Sequence, residues 1–218
     1  MKTSIIRTYH NSLTEDHGFK RYNSWSHCHM AFSKASSPSK KEVDFLALHL
    51  GAYLASWGMY RGSAFLLEFD YKVHIGIVKI VLKHKKSLLN LRIKKFKEKA
   101  DEIISLHQEI CAYYEETLKT YVKKGKTKPV KTSEILSTKI MLGTLGCIPA
   151  FDRFFKAGLK HEGETQAFSR NAIRVTLQDF AISNETKLKK LEGDLGYPAM
   201  KLLDMYFWQI GFDNRKKD

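Results

Sequence analysis

Residues 39–57 read SKKEVDFLALHLGAYLASW. Val43, Leu46, Leu50, Tyr53, Leu54 and Trp57 recur at helical spacing. The segment is apolar nearly all round, so it is expected to run through the core rather than over it. Working outward, Gly58 and Gly62 bracket Met59-Tyr60-Arg61 as a turn. Ser63–Phe69 and Val73–Leu82 then read as two short apolar helices. The run HIGIVKIVL at 74–82 is β-branched enough for a strand. No partner strand is visible elsewhere, so helix is expected.

Toward the N-terminus, residues 1–38 read as irregular, with one short helix. His10, Asn11, Ser12, Asp16, His17 and Gly18 are turn formers. The short helix starts near Ser24 and carries Trp25, Cys28, Met30 and Phe32. Ser36-Ser37-Pro38-Ser39 closes it with a loop.

Toward the C-terminus, residues 83–99 read as an amphipathic basic helix. Lys83, Lys85, Lys86, Arg92, Lys94, Lys95, Lys97 and Lys99 alternate with Leu88, Leu89, Leu91, Ile93 and Phe96. A more acidic helix is expected over 100–122, and residues 123–131 read as an exposed basic loop containing Lys124, Lys126 and Lys128. Thr132 or Ser133 with Glu134 opens the next helix. Gly143 and Gly146 end it, and Pro149 opens another, since proline suits a first turn. Helices near 168–182 and 198–210 follow, before the polar tail 214–218. The expected fold is all-α: a single domain over 1–218, a compact multi-helix bundle of roughly eight to ten short helices.

Composition narrows the function classes. The chain has 218 residues and a net charge of +14, from 37 basic and 23 acidic side chains. From Lys79 to Lys131 there are 15 Lys/Arg against 6 Asp/Glu. Such a field attracts polyanions, and nucleic acid leads among them. Cys28, Cys111 and Cys147 are odd in number and far apart, with no CxxC pair. Neither a disulfide framework nor a four-cysteine metal site is signalled, and a reducing, cytoplasmic setting fits. The start, MKTSIIRTYHNS, lacks the apolar core of a secretory leader. Gly51, Arg61 and their neighbours interrupt the most apolar stretch, so no membrane partner is expected. A P-loop, a GxGxxG and a GxSxG are all missing, so no cofactor is implied. Ser26-His27-Cys28-His29 groups metal-capable residues, but adjacent helical positions face different ways, and no metal is expected there.

Ser137–Phe155 carries the chemistry-bearing pattern: a helix with Lys139, a tight turn, and a second helix opening at Pro149 with Asp152 in its first turn. A carboxylate is favoured at a helix N-terminus. A carboxylate beside an amine can serve attack at a nucleoside's anomeric carbon, the amine by Schiff-base formation. Thr138-Lys139 and Ile148-Pro149-Ala150-Phe151-Asp152-Arg153-Phe154 resemble the region around the catalytic aspartate of the helix-hairpin-helix DNA glycosylase superfamily. Leu202–Gly211 is similar to the closing helix of that superfamily's shortened relatives. Where the family has a Gly-x-Gly hairpin, this chain has Lys128-Pro129-Val130-Lys131-Thr132.

The resemblance implies an all-α scaffold, duplex DNA as partner, and base excision or abasic-site lyase chemistry by nucleotide flipping. Asp152 and Lys139 would be catalytic. Lys83, Lys85, Lys86, Lys94, Lys95, Lys97, Lys124, Lys126, Lys128 and Arg153 are the expected nucleic-acid contacts. Trp57, Tyr60, Phe151, Phe207 and Trp208 are aromatic positions that could stack on a base or fill the core. Arg61 and Arg153 follow apolar runs, where a guanidinium can meet a phosphate. The competing reading is a non-enzymatic protein-interaction or defence-accessory module with a protein partner, whose basic face only keeps it solvated.

Overall fold

Thr3–Thr14 forms the first helix, α1, and it buries Ile6, Tyr9 and Leu13 on one face. This corrects the expectation of an irregular N-terminus: His10, Asn11 and Ser12 lie within the helix. The computed structural model describes residues 1–14, 20–36 and 38–215. The expected turn at Asp16, His17 and Gly18, Ser37 of the expected loop, and tail residues 216–218 lie outside them.

A 3-10 turn at Arg21–Asn23 leads into α2, Ser24–Lys34. α3 spans Lys40–Ser56 and is the core helix its pattern predicts, burying Val43, Leu46, Leu50, Tyr53 and Leu54. Its start is fixed locally. Glu42 N–H donates to Ser39 Oγ at 3.3 Å and Ser39 N–H donates to Glu42 Oε2 at 2.7 Å, so two end donors are satisfied reciprocally. After the Trp57–Gly62 turn come 3-10 turns at Phe65–Glu68 and Tyr71–His74 in place of the expected short helix over 63–69. α4, Ile75–Leu88, settles the 74–82 run as helical.

The basic stretch 83–99 is not one helix. α4 stops at Leu88, Asn90 turns the chain at φ 50°, and Ile93–Lys95 is a 3-10 turn. α5 then runs from Ala100 to Leu118. The expected loop over 123–131 is instead part of an antiparallel hairpin, β1 (Thr120–Lys123) with β2 (Lys126–Pro129), in register Thr120↔Pro129. Lys124 and Gly125 connect them at φ 50° and 72°. Two successive residues with positive φ are what a tight primed turn needs. Lysine in place of the usual Asn or Asp hides that turn from a sequence reading.

α6 spans Glu134–Leu145, with the Ser133 hydroxyl accepting from Leu136 N–H at its start and left-handed Gly146 at its end. Gly143, expected as a terminator, sits inside the helix. A Cβ there would come within 2.2 Å of the Tyr53 ring. α7 spans Arg153–His161, so Pro149 belongs to the preceding connection and Asp152 is the cap rather than a first-turn residue. α8 (Arg170–Ala172), a π turn (Ile173–Leu177) and α9 (Gln178–Ser183) occupy the expected 168–182 helix. α10, Glu185–Leu195, was not anticipated, because its polar surface buries only Leu188 and Leu191. α11, Ala199–Asn214, is buried from Ala199 to Gly211.

One hydrophobic cluster runs from Ile6 to Ile210. The closest helix contact is between α7 and α11. A methyl on Gly158 would lie 1.9 Å from the Phe207 carbonyl oxygen, and one on Gly211 would lie 2.0 Å from that of Phe154. Among the described residues no helix is long and apolar enough to cross a membrane.

Candidate functional site

The connection between α6 and α7 is pinned at successive residues. Ala150 N–H donates to Asp204 Oδ1 at 3.1 Å, and Phe151 N–H donates to Thr138 Oγ1 at 3.0 Å. Asp152 Oδ1 accepts from Phe154 N–H at 3.0 Å and Phe155 N–H at 3.1 Å, the ordinary work of an N-cap. Its other oxygen, Oδ2, accepts from Lys139 Nζ at 2.8 Å. The side chains of Lys139 and Asp152 are 4% and 14% exposed. The predicted pair is therefore formed, and it is nearly buried.

A second ion pair lies behind the first. Lys201 Nζ meets Asp204 Oδ2 at 2.9 Å, with side chains 3% and 5% exposed. Both lysines sit on aromatic rings. Lys139 Nζ lies 4.8 Å from the Trp57 centroid, and Lys201 Nζ lies 5.1, 5.4 and 5.7 Å from those of Tyr9, Trp25 and Trp57. Cation–π attraction is strongest where the ammonium is desolvated, as here. Burial, then the Asp204 carboxylate, holds the Tyr9 and Tyr53 hydroxyls far above the usual phenol range. No sequence pattern marked Lys201 and Asp204, because an i,i+3 pair on a helix reads as surface charge.

The Lys139–Asp152 pair lines both a small hollow of ≈ 10 Å³ and a larger cleft of ≈ 440 Å³. Trp57, Trp208, Phe154 and Phe212 line the cleft, with Arg21, Arg61, Arg153 and Arg215 around it. All four arginines are exposed. Among the described residues none of them pairs with a carboxylate. Three lie over rings: Arg153 at 4.5 Å from Phe154, Arg215 at 4.5 Å from Phe212, and Arg21 at 5.2 Å from Tyr22. Arg61 folds back across Gly58, whose φ of +75° turns the chain there. Arg61 and Arg153 were singled out in the sequence. Arg21 and Arg215 were not, since each stands in a polar stretch that only tertiary packing brings to the cleft.

A second hollow of ≈ 550 Å³ adjoins the cleft and shares Gly58, Met59 and Arg61 with it. Its far side is the base of the hairpin, with Tyr121, Lys128, Pro129 and Lys131. Lys128 thus belongs to the same surface as the cleft. Lys124 sits in the hairpin turn and Lys126 in β2, both exposed.

The 83–99 segment lies elsewhere. Asn90 N–H donates to Leu145 O at 2.8 Å, at the C-terminal end of α6, whereas Ile135 and Lys139 from its first half line the cleft. Along the helix Ile135 and Lys139 stand about 15 and 9 Å from Leu145. Lys85 is used internally: Nζ donates to Ser33 O at 2.8 Å and to Ala35 O, and burial lowers its pKa. Lys95 pairs with Glu98 at 3.0 Å. Lys83, Lys86, Lys94 and Lys97 are exposed. The structure therefore brings Asp152, Lys139, Arg153 and Lys128 to one surface and places Lys83, Lys85, Lys86, Lys94, Lys95 and Lys97 apart from it. Trp57 and Trp208 line the cleft, while Phe151 and Phe207 are core residues.

The remaining clusters are structural in their geometry. His29 stacks on Trp25 at 4.7 Å, and its Nδ1 hydrogen-bonds Thr144 O at 3.1 Å. Cys28 is buried beside it, and burial raises its thiol pKa. Burial likewise pushes the Cys147 thiol up to about 12 and Cys111 to about 11, so neither is poised as a nucleophile. His74 is fully buried, bonded at 2.6 Å to both Tyr60 Oη and Tyr114 Oη, and burial lowers its pKa to about 3. Among the described residues no cluster of His, Cys, Asp and Glu could hold a metal ion.

No family model, no curated protein and no solved structure matches this chain. The functional reading therefore stands on the cleft itself: guanidiniums lacking carboxylate partners among the described residues, aromatic walls, and a buried ion pair beside them.

Proposed function

We propose that this chain binds nucleic acid in the arginine-rimmed cleft. The observation that carries the reading is the set Arg21, Arg61, Arg153 and Arg215, exposed and, among the described residues, without carboxylate partners, gathered around Trp57 and Trp208. Planar guanidiniums match phosphate geometry and stack on rings, two properties that lysine lacks. The lysine-rich hairpin extends the same positive surface through Lys128 and Lys131.

The chemistry implied by the glycosylase resemblance would fall to Asp152 and Lys139. Both border the cleft, which supports that assignment. Their bonds support a holding role as well, since Asp152 Oδ1 caps α7 and Oδ2 is bonded to Lys139. Binding is thus the primary claim and excision the finer one. The protein-interaction alternative draws on Phe45 and Leu48, 55% and 49% exposed on α3, which would offer an apolar contact to a partner.

A gel shift at 50 and 200 mM salt tests binding. Affinity should fall steeply with salt, and Arg61→Glu with Arg215→Glu should abolish the shift at the higher salt. A salt-independent shift, or no shift at either salt, refutes the reading. Borohydride trapping on abasic DNA tests the chemistry: a covalent adduct lost in Lys139→Ala supports a lyase, and no adduct in the parent chain removes that claim.

A further inference from the structure

The two adjoining hollows differ in a way that bears on the form of nucleic acid they accept. The cleft is rich in ring faces as well as charge. Arg153 and Arg215 lie over Phe154 and Phe212, and Trp57 is only partly covered. Among the described residues the buried Trp57 indole N–H has no hydrogen-bond partner, so no such bond accounts for the placement of the ring. A duplex offers phosphates to such a site but keeps its base faces stacked inside. Unpaired bases offer both phosphate and π-face.

The hairpin argues in the same direction. A two-stranded ribbon can enter a major groove if it projects. Here β1 lies down on the body: Tyr121 Oη donates to Ser63 O at 3.4 Å, and Lys123 Nζ donates to Gly62 O. The ribbon therefore forms a wall of the second hollow rather than a probe. Arg61, shared by both hollows, marks a crossing point between them. A single strand, flexible along its backbone, can pass from one hollow into the other at these shared residues.

We infer that the ligand of this surface is single-stranded nucleic acid, running from the Arg153/Arg215 side of the cleft across Arg61 to Lys128 and Lys131. The inference rests on the nucleic-acid reading above and narrows it, departing from the duplex that the sequence resemblance implies. Its bases stack in the aromatic cleft, and its phosphates meet the arginines and the hairpin lysines.

Fluorescence anisotropy with a labelled twelve-residue oligo(dT), the same strand annealed to oligo(dA), and inorganic polyphosphate as competitor tests it. The single strand should bind ~10-fold or more tightly than the duplex, the gain expected from stacking one base on an aromatic ring. Intrinsic tryptophan fluorescence should fall on binding. Arg61→Glu should weaken the single strand ~10-fold or more, while Lys94→Glu, on the remote segment, should change it less than ~2-fold. Equal or tighter duplex binding overturns the inference but leaves the nucleic-acid reading standing. So does polyphosphate that displaces oligo(dT) phosphate for phosphate, or equal losses in the two variants. Failure of every nucleic-acid probe to bind removes both. Because both substituted side chains are exposed, folding should be unaffected, and the comparison within the parent chain needs no variant at all.

Discussion

Asp152→Asn separates the two jobs of the residue that joins the cleft to the core. Asparagine caps a helix about as well as aspartate, so the bonds to Phe154 and Phe155 N–H can persist. What is lost is the charge opposite Lys139, whose side chain is 4% exposed and whose ammonium is bonded to Asp152 at 2.8 Å. Breaking one partner from a buried pair costs about 3–5 kcal/mol, because the other charge stays buried and uncompensated. Lys139→Met should cost less, about 1–2 kcal/mol, since Asp152 keeps its two backbone donors and reaches water. The double variant removes both charges, keeps the cap and fills the space with an apolar chain, so it should return to within about 1 kcal/mol of the parent. The coupling energy is then about 3 kcal/mol or more, a large share of a typical total stability of about 5–15 kcal/mol. Urea denaturation of the four proteins, followed by circular dichroism, measures it. Additive losses, with a coupling below about 0.5 kcal/mol, would refute the claim that this pair is a desolvated structural contact.

Further outcomes follow from other contacts. His74 is neutral in the fold, with a pKa of about 3, while an unfolded histidine titrates near 6.5; the unfolded chain thus binds the extra proton as pH falls. Stability should be intact above about pH 6.5 and should erode below it by up to about 1.4 kcal/mol per unit toward pH 3. His74→Gln should flatten that slope in thermal melts across pH 4–7, and an unchanged slope would discount the residue. Gly158→Ala should destabilise by about 3 kcal/mol or more, since backbone at Phe207 cannot retreat from the added methyl. Gly193→Ala, on α10 with open space around it, should instead stabilise by about 0.5–1 kcal/mol. Opposite shifts in melting temperature check the pair. In the salt titration, six phosphate contacts from the four arginines with Lys128 and Lys131 predict a log–log slope near about −4 for a single strand. Arg215→Ala should make it shallower by about 0.7, and a slope that does not change excludes that contact.

The long apolar periods were legible without coordinates. α3, α6 and α11 follow from repeats that can hide their side chains only in a helical core. The Lys139–Asp152 pairing was legible too, because a helix, a short connection and a cap bring the two residues within reach. What escaped was decided by less regular signals. Among its described side chains α1 buries Ile6, Tyr9 and Leu13 between polar residues, a narrow stripe that turn formers obscured. The basic stretch was read as one helix because charge and leucine alternate through it, yet Asn90 breaks it. The hairpin turn used Lys124-Gly125, a pair with no strong sequence signature. For the cleft, counting charge along the chain pointed to 83–99, whereas the arginines that line it come from four separated stretches. Their convergence is a property of packing, which a linear tally of lysines does not register.

The glycine contact between α7 and α11 gives the cleft walls unequal stiffness. Asp152, Arg153 and Phe154 stand on one of these helices, and Trp208, Phe212 and Arg215 on or just beyond the other, with backbones too close to slide without clashing. They behave as a single anvil. Facing them, Trp57, Gly58, Met59 and Arg61 belong to a turn whose two glycines hold positive φ and whose outer residues are exposed. On the proposed reading, a ligand of awkward shape would be accommodated by adjustment of this turn against the α7–α11 block. Substitutions that tune fit belong in residues 58–62, and those that destroy the cleft belong at Gly158 and Gly211, in the helix contact behind its Phe154 and Phe212 wall.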